Sequence, residues 1–182
     1  MQANPNSTPL DSAVATQYLS AARHTLNHSL SKITHCLNQL DDSHMGWRPF
    51  EGQNSLTNLI LHLCGNMGQW IIAAAGNVPD VRDRPAEFAE RNALPKRELL
   101  LRLMRVVGEA ESALNGLTVE RLLEPRRIQG SETTVLKAIF DSVSHLVGHT
   151  HQIVYITRLI LRENYKFQYV PKTPEQISAK KS

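Results

Sequence analysis

The sequence predicts an all-α protein, a four-helix bundle with a long crossover between helices two and three. Three observations predict it. Four long stretches carry apolar residues at spacings of three, four and seven, the mark of an amphipathic helix. No convincing set of strands interrupts them. The connection from Asn77 to Leu94 is long and charged, which suits a crossover better than a tight hairpin.

Each element has its own signals. Met1 to Pro9 is polar with two prolines, and residues 1–10 read as a flexible lead-in. Asp11 or Ser12 is the expected cap of helix one, which carries Leu19, Leu26, Leu30, Ile33, Leu37 and Leu40 on one face. A loop with Gly46, Pro49 and Gly52 follows, with Trp47 and Phe50 as its expected apolar anchors. Asn54 or Ser55 starts helix two, which stops at Gly76. Pro95 suits the first position of helix three, which ends at Gly116. Leu117 to Gly130 is a second connection, into which Leu122 and Leu123 are expected to tuck. Ser131 to Thr134 is expected to open helix four, which runs to about Arg162. Residues 11–170 thus form one bundle, and residues 171–182 read as a disordered basic tail.

Composition narrows the function classes. A hydrophobic content of 41% is too high for a disordered chain. The formal net charge is +3, and the tail alone carries Lys172, Lys180 and Lys181 against Glu175. The rest of the chain is close to neutral, so the pI of 9.0 does not point to nucleic acid. No stretch reaches the ~20 apolar residues of a membrane span, and the start lacks the basic and apolar segments of a signal peptide. Cys36 and Cys64 lie in separate helices without CxxC spacing, which reads as two reduced thiols in a cytoplasmic protein.

The eight histidines sort by helix face. A helix advances about 100° per residue, so His24, His28 and His35 form a stripe opposite the apolar face of helix one. That stripe should meet water. In helix four, His145 and His149 are one turn apart at the margin of the buried arc, and His151 points outward. His62 sits at the same margin of helix two, with Asn66 and Gln69 on its side. Three imidazoles from two helices match the ligand set of a zinc site with an open fourth position. Inward histidines are also commonly hydrogen-bonded core residues, so the spacing alone leaves both readings standing.

Three passages carry a resemblance. Ser55-Leu-Thr-Asn-Leu-Ile-Leu-His62-Leu runs from a polar start into His-Leu, Glu132 to His145 leads into helix four, and His145-x-x-x-His149-x-x-Gln152-Ile153 follows. Together, in this order, they resemble the DinB/YfiT-like superfamily, and within it a bacterial subfamily of uncharacterised proteins. The likeness covers about residues 13–165, and the charged segment Arg82 to Arg91 shares it. The resemblance implies a four-helix bundle, often a homodimer, with a divalent metal on His62, His145 and His149. His151 departs from the family pattern, where a small residue is common.

The resemblance also frames the function. Characterised relatives include thiol-dependent transferases and a maleylpyruvate isomerase, and others are described as metal-dependent hydrolases. The expected protein is therefore a divalent-metal-dependent enzyme, a hydrolase or thiol-dependent S-transferase, acting on a small molecule or a low-molecular-weight thiol. No Ser-His-Asp set or paired carboxylates stand on a helix face, so catalysis would rest on the metal and its water. Asn66, Gln69 and Gln152 are the polar neighbours best placed in the pocket or behind the ligands. Imidazole ligands suit zinc, nickel or iron. The alternative is a non-catalytic dimeric metal-binding protein with a structural or vestigial site.

Overall fold

The computed structural model describes residues 8–170. The expected tail, residues 171–182, and most of the expected lead-in lie outside the described residues. Helix α1 spans Pro9–Leu37, so Pro9 and Leu10 belong to the helix and not to a lead-in. Its cap is Thr8, earlier than the expected Asp11 or Ser12. The Thr8 hydroxyl accepts from Asp11 N, and the Asp11 carboxylate accepts from Thr8 N at 2.9 Å. Pro9 lacks the N–H that such an end leaves unsatisfied, which favours starting the helix there.

Helix α2 is continuous over Leu56–Gly76, with a π-helical turn at Gly68–Ala73. It ends where Asn77 adopts the left-handed conformation, φ 55°. A short helix, α3, spans Arg84–Ala89 within the crossover. Helix α4 spans Lys96–Leu114, and α5 spans Val119–Leu123. Helix α6 spans Val135–Leu161.

The segment before α6 differs from expectation. Pro125–Ile128 (β1) and Ser131–Thr134 (β2) pair antiparallel, with Ile128 opposite Ser131. The two-residue turn between them has positive φ at both Gln129 and Gly130, the twist a tight hairpin needs. Helix α6 therefore begins after Thr134, whose hydroxyl accepts from Lys137 N at 3.2 Å. Arg121 of α5 and Arg126 of β1 tie this segment to the end of α2. They donate to the carbonyls of Ala75 and Ala74, at 3.0 and 2.9 Å, at the negative end of the α2 dipole.

Helices α1 and α2 each pack against both α4 and α6, so the four long helices close one core. Leu26 and Ile33 of α1, Leu59 and Leu63 of α2, Leu99 and Leu103 of α4, and Ile139 and Ile153 of α6 are all fully buried. Each such side chain contributes about 1.5–3 kcal/mol of hydrophobic burial. The long connection between α2 and α4 is the expected crossover.

Several smaller expectations change. Phe50 is 63% exposed, and the buried anchor of its loop is Met45; Trp47 is partly buried against the core. Leu122 is buried as expected, while Leu123 is 60% exposed. Helix α2 is long and apolar enough to cross a membrane by length and composition, which corrects the expectation of none. More than half of its most apolar window, 56%, is buried inside the bundle, as for a core helix.

Candidate metal centre

The site begins at the start of α2. Ser55 caps the helix: its hydroxyl accepts from Asn58 N at 3.2 Å, while Asn58 Oδ1 accepts from Ser55 N at 3.1 Å. Asn58 is fully buried and reaches further, donating through Nδ2 to the carbonyls of Glu87 and Glu90, both at 2.9 Å. Asn58, in the first turn of α2, thus also fastens α3 against it. Arg48 joins the same knot, donating to Asn58 Oδ1 at 2.9 Å and to the Glu90 carbonyl at 3.1 Å. It anchors the loop and does not border the histidine cavity.

One turn beyond Asn58 stands His62, 6% exposed. His145 and His149, one turn apart on α6, face it. Their ring centroids are 4.4 Å from each other, and 4.9 and 5.2 Å from that of His62. Nε2 of His62 lies 2.7 Å from Nε2 of His145. One nitrogen from each of the three rings falls within 4.8 Å of the others, so the trio can hold a metal ion. Among the described residues it is the one such cluster of three or more ligating side chains.

The outer nitrogens of two rings are occupied. His149 Nδ1 lies 2.8 Å from Gln152 Oε1, a carbonyl oxygen that can only accept. The tautomer that donates from Nδ1 to this oxygen keeps a lone pair on His149 Nε2. His62 Nδ1 lies 3.0 Å from Glu87 Oε2 and 3.1 Å from Arg82 Nη2. Arg82 also donates to both carboxylate oxygens of Glu87, at 2.7 and 2.9 Å.

Charge chemistry fits a cation between the rings. Burial, together with the neighbouring His149 and His62, holds the His145 imidazolium down to about 4. Burial likewise lowers His62, although Glu87 opposes the shift. Both rings are therefore neutral near pH 7 and have a lone pair to give.

A cavity of about 230 Å³ opens beside His62 and His145, walled by Asn66, Trp70, Arg84, Gln129 and Asp141. Asn66 Oδ1 accepts from Ser142 at 2.7 Å, and Asn66 borders the cavity. Gln69 does not. It stands in the π-helical turn and meets Asp80 and Arg82 of the crossover at 2.6 and 3.0 Å and Gln129 of the hairpin turn at 2.7 Å. A larger cavity of about 550 Å³ lies between α2, the crossover and α4 and touches none of the three histidines.

The remaining histidines stay apart from this centre. His24 and His28 are exposed and stack at 6.0 Å on the outer face of α1. His35 is not simply solvated: Nε2 lies 2.6 Å from the Lys166 carbonyl, and the ring meets the edge of Tyr165. His151 is exposed, away from the trio. Sequence reasoning missed Arg82 and Glu87, because they stand in a charged connection that reads as solvated surface. The available signal was Gly65. A glycine in a helix interior weakens the helix, and here a Cβ at that position would overlap Glu87 Oε1.

Fold and site together define a class: a DinB-like helical bundle with three inward histidines shared between two helices. Residues 13–174 match the family described as protein of unknown function (DUF1572), and the chain belongs to that family. Two solved structures share the fold. A conserved protein from Enterococcus faecalis superposes with a TM-score of 0.66 at 20% identity, covering 78% of this chain and 96% of that one. A DinB-like protein of Bacillus subtilis, YjoA, gives 0.56 at 16% identity, covering 86% and 99%. No curated protein matches the sequence.

Proposed function

We propose that the chain is a divalent-metal-dependent enzyme acting on a small molecule, with His62, His145 and His149 as the metal ligands. The observation that carries this reading is the convergence of three imidazoles, two of them held below their ordinary basicity, beside a cavity of about 230 Å³. When bound, such a metal supplies Lewis acidity, activating water or a thiol near neutral pH. Zinc, nickel and iron all suit the donor set.

The chain's own groups would orient the substrate. Arg84 lies over the Phe88 ring at 5.0 Å, and Phe88 packs on His62 at 4.9 Å, so a cationic side chain flanks the cavity. Asn66 and Gln129 add neutral polar groups to its wall. These features favour a polar substrate over an apolar one. The reaction belongs to the hydrolase or thiol-dependent transferase type. Small esters, amides and low-molecular-weight thiols are the compounds to test. A cytoplasmic homodimer is part of the proposal. The buried free thiols of Cys36 and Cys64 suit a reducing compartment, and the exposed Phe140, Tyr155 and Leu159 on α6 suit a second copy of the chain. Nucleic acid is not among the proposed partners.

One observation favours a second reading, a non-catalytic metal-binding protein. Both carboxylates near the cavity are engaged, Glu87 with Arg82 and His62, and Asp141 with Lys137 at 2.6 Å. Among the described residues, the carboxylate in the cavity wall, Asp141, is thus paired and not a free acid or base. A screen of esters, amides and thiol adducts against the metal-loaded protein decides between the two. Turnover that disappears with chelator supports the enzyme. Tight metal binding without any metal-dependent product favours the second reading.

A further inference from the structure

We propose that Glu87, clamped by Arg82, is the positioning residue of His62: it accepts the Nδ1 proton and so commits Nε2 to the metal. The inference rests on the metal reading above and goes beyond it, to residues of the crossover.

The contacts around His62 Nδ1 pose a choice. Arg82 Nη2, at 3.1 Å, requires a lone pair on that nitrogen. Glu87 Oε2, at 3.0 Å, requires a proton on it. A metal at Nε2 uses the lone pair there, so the proton of a neutral ring must sit on Nδ1. Glu87 is the group in reach that accepts it. A carboxylate behind a metal-bound histidine fixes the ring and raises its donor strength.

The surroundings restrain Glu87 on every side. Its side chain is 8% exposed, that of Arg82 is 3% exposed, and the two meet through a pair of hydrogen bonds. Asn58 holds the Glu87 carbonyl. Gly65, the residue three after His62, leaves the space that the carboxylate fills. Gln69 steadies Arg82 from the far side, accepting from Nη1 at 3.0 Å. A buried ion pair of this kind adds little stability over apolar packing. Four separate features nevertheless restrain Glu87: Arg82 holds both carboxylate oxygens, Asn58 its backbone carbonyl, Gly65 leaves room for Oε1, and Gln69 holds Arg82. Positioning a ligand accounts for all of them.

The test compares zinc affinity, measured by competition with a chromophoric chelator, in the full-length chain and in two variants. Glu87→Gln keeps the shape and removes the charge. Gly65→Ala leaves every polar group in the chain and displaces the carboxylate, while alanine favours the helix. Both should bind zinc about 10–100-fold more weakly, with the helical signal retained. In the zinc form of the unaltered chain, NMR should detect a hydrogen-bonded His62 Nδ1 proton, and Gly65→Ala should move that signal upfield. If Glu87→Gln loses its helical signal, Gly65→Ala alone decides. Unchanged zinc affinity in a folded Gly65→Ala overturns the positioning role and leaves the metal reading intact. If the unaltered chain binds no zinc, nickel or iron, the metal reading fails and this inference with it.

Discussion

Nε2 of His62 and Nε2 of His145 stand 2.7 Å apart, although 83 residues separate them in the chain. Two neutral imidazoles at that distance either share a proton or share a cation. The buried setting disfavours protonating either ring further. Both rings are fixed by helices that pack in the bundle core, so the approach belongs to the fold.

The two cysteines should play no chemical part. Cys36 is fully buried and Cys64 is 6% exposed. Burial pushes the Cys64 thiol up to about 12 and raises that of Cys36 as well. A disulfide reagent at pH 8 should therefore find no reactive thiol in the native chain and both in denaturant. The folded pKa values lie above the unfolded value of about 8.5. The folded state thus keeps protons that the unfolded state loses, and stability should fall as pH rises above about 9 toward 12. Rapid labelling of native Cys64 would show that its thiol is accessible and not buried.

Asn58→Ala should destabilise the protein strongly. The substitution removes the acceptor used by Arg48 and Ser55 and the donor used by two crossover carbonyls. Urea unfolding should show a loss of about 2–4 kcal/mol, the scale of several buried groups left unsatisfied. A loss under about 0.5 kcal/mol, as for an ordinary surface change, would mean that the crossover is held by other contacts.

His28→Ala should leave metal content and melting temperature unchanged. His28 is exposed and stacks only on His24, on the outer face of α1. Its ring points away from the bundle axis, where the apolar stripe of Leu26 and Ile33 is buried. Metal analysis of the purified variant checks this, and a drop in bound metal would place a second ligand set on α1.

The legible part of the site was the part written in helical periodicity. His62, His145 and His149 share the inward margins of their helices because side chains three and four apart share a face, and the apolar neighbours set the direction. The same reasoning separated His28 and His151 from the trio. What escaped it lay between helices. Ser131 to Thr134 is polar and lacks a strand pattern, and its hairpin depends on positive φ at Gln129 and Gly130. Gln69 lay on the correct face of an ideal helix, but it stands in the π-helical turn at Gly68–Ala73 and meets Asp80, Arg82 and Gln129. Arg82 and Glu87 sit in a charged connection, and no periodicity relates Glu87 to His62. Only packing, through Asn58 and the gap at Gly65, brings them together.

If His62, His145 and His149 form one metal centre, His145→Ala should empty it, and metal content measures this. The unaltered chain and the variant are loaded with zinc, passed through the same desalting step and analysed by elemental emission, with circular dichroism on the same samples. The unaltered chain should carry about one zinc, as a single three-histidine site requires, and the variant only background metal while the helical signal persists. Equal metal in both proteins would contradict a single three-histidine site.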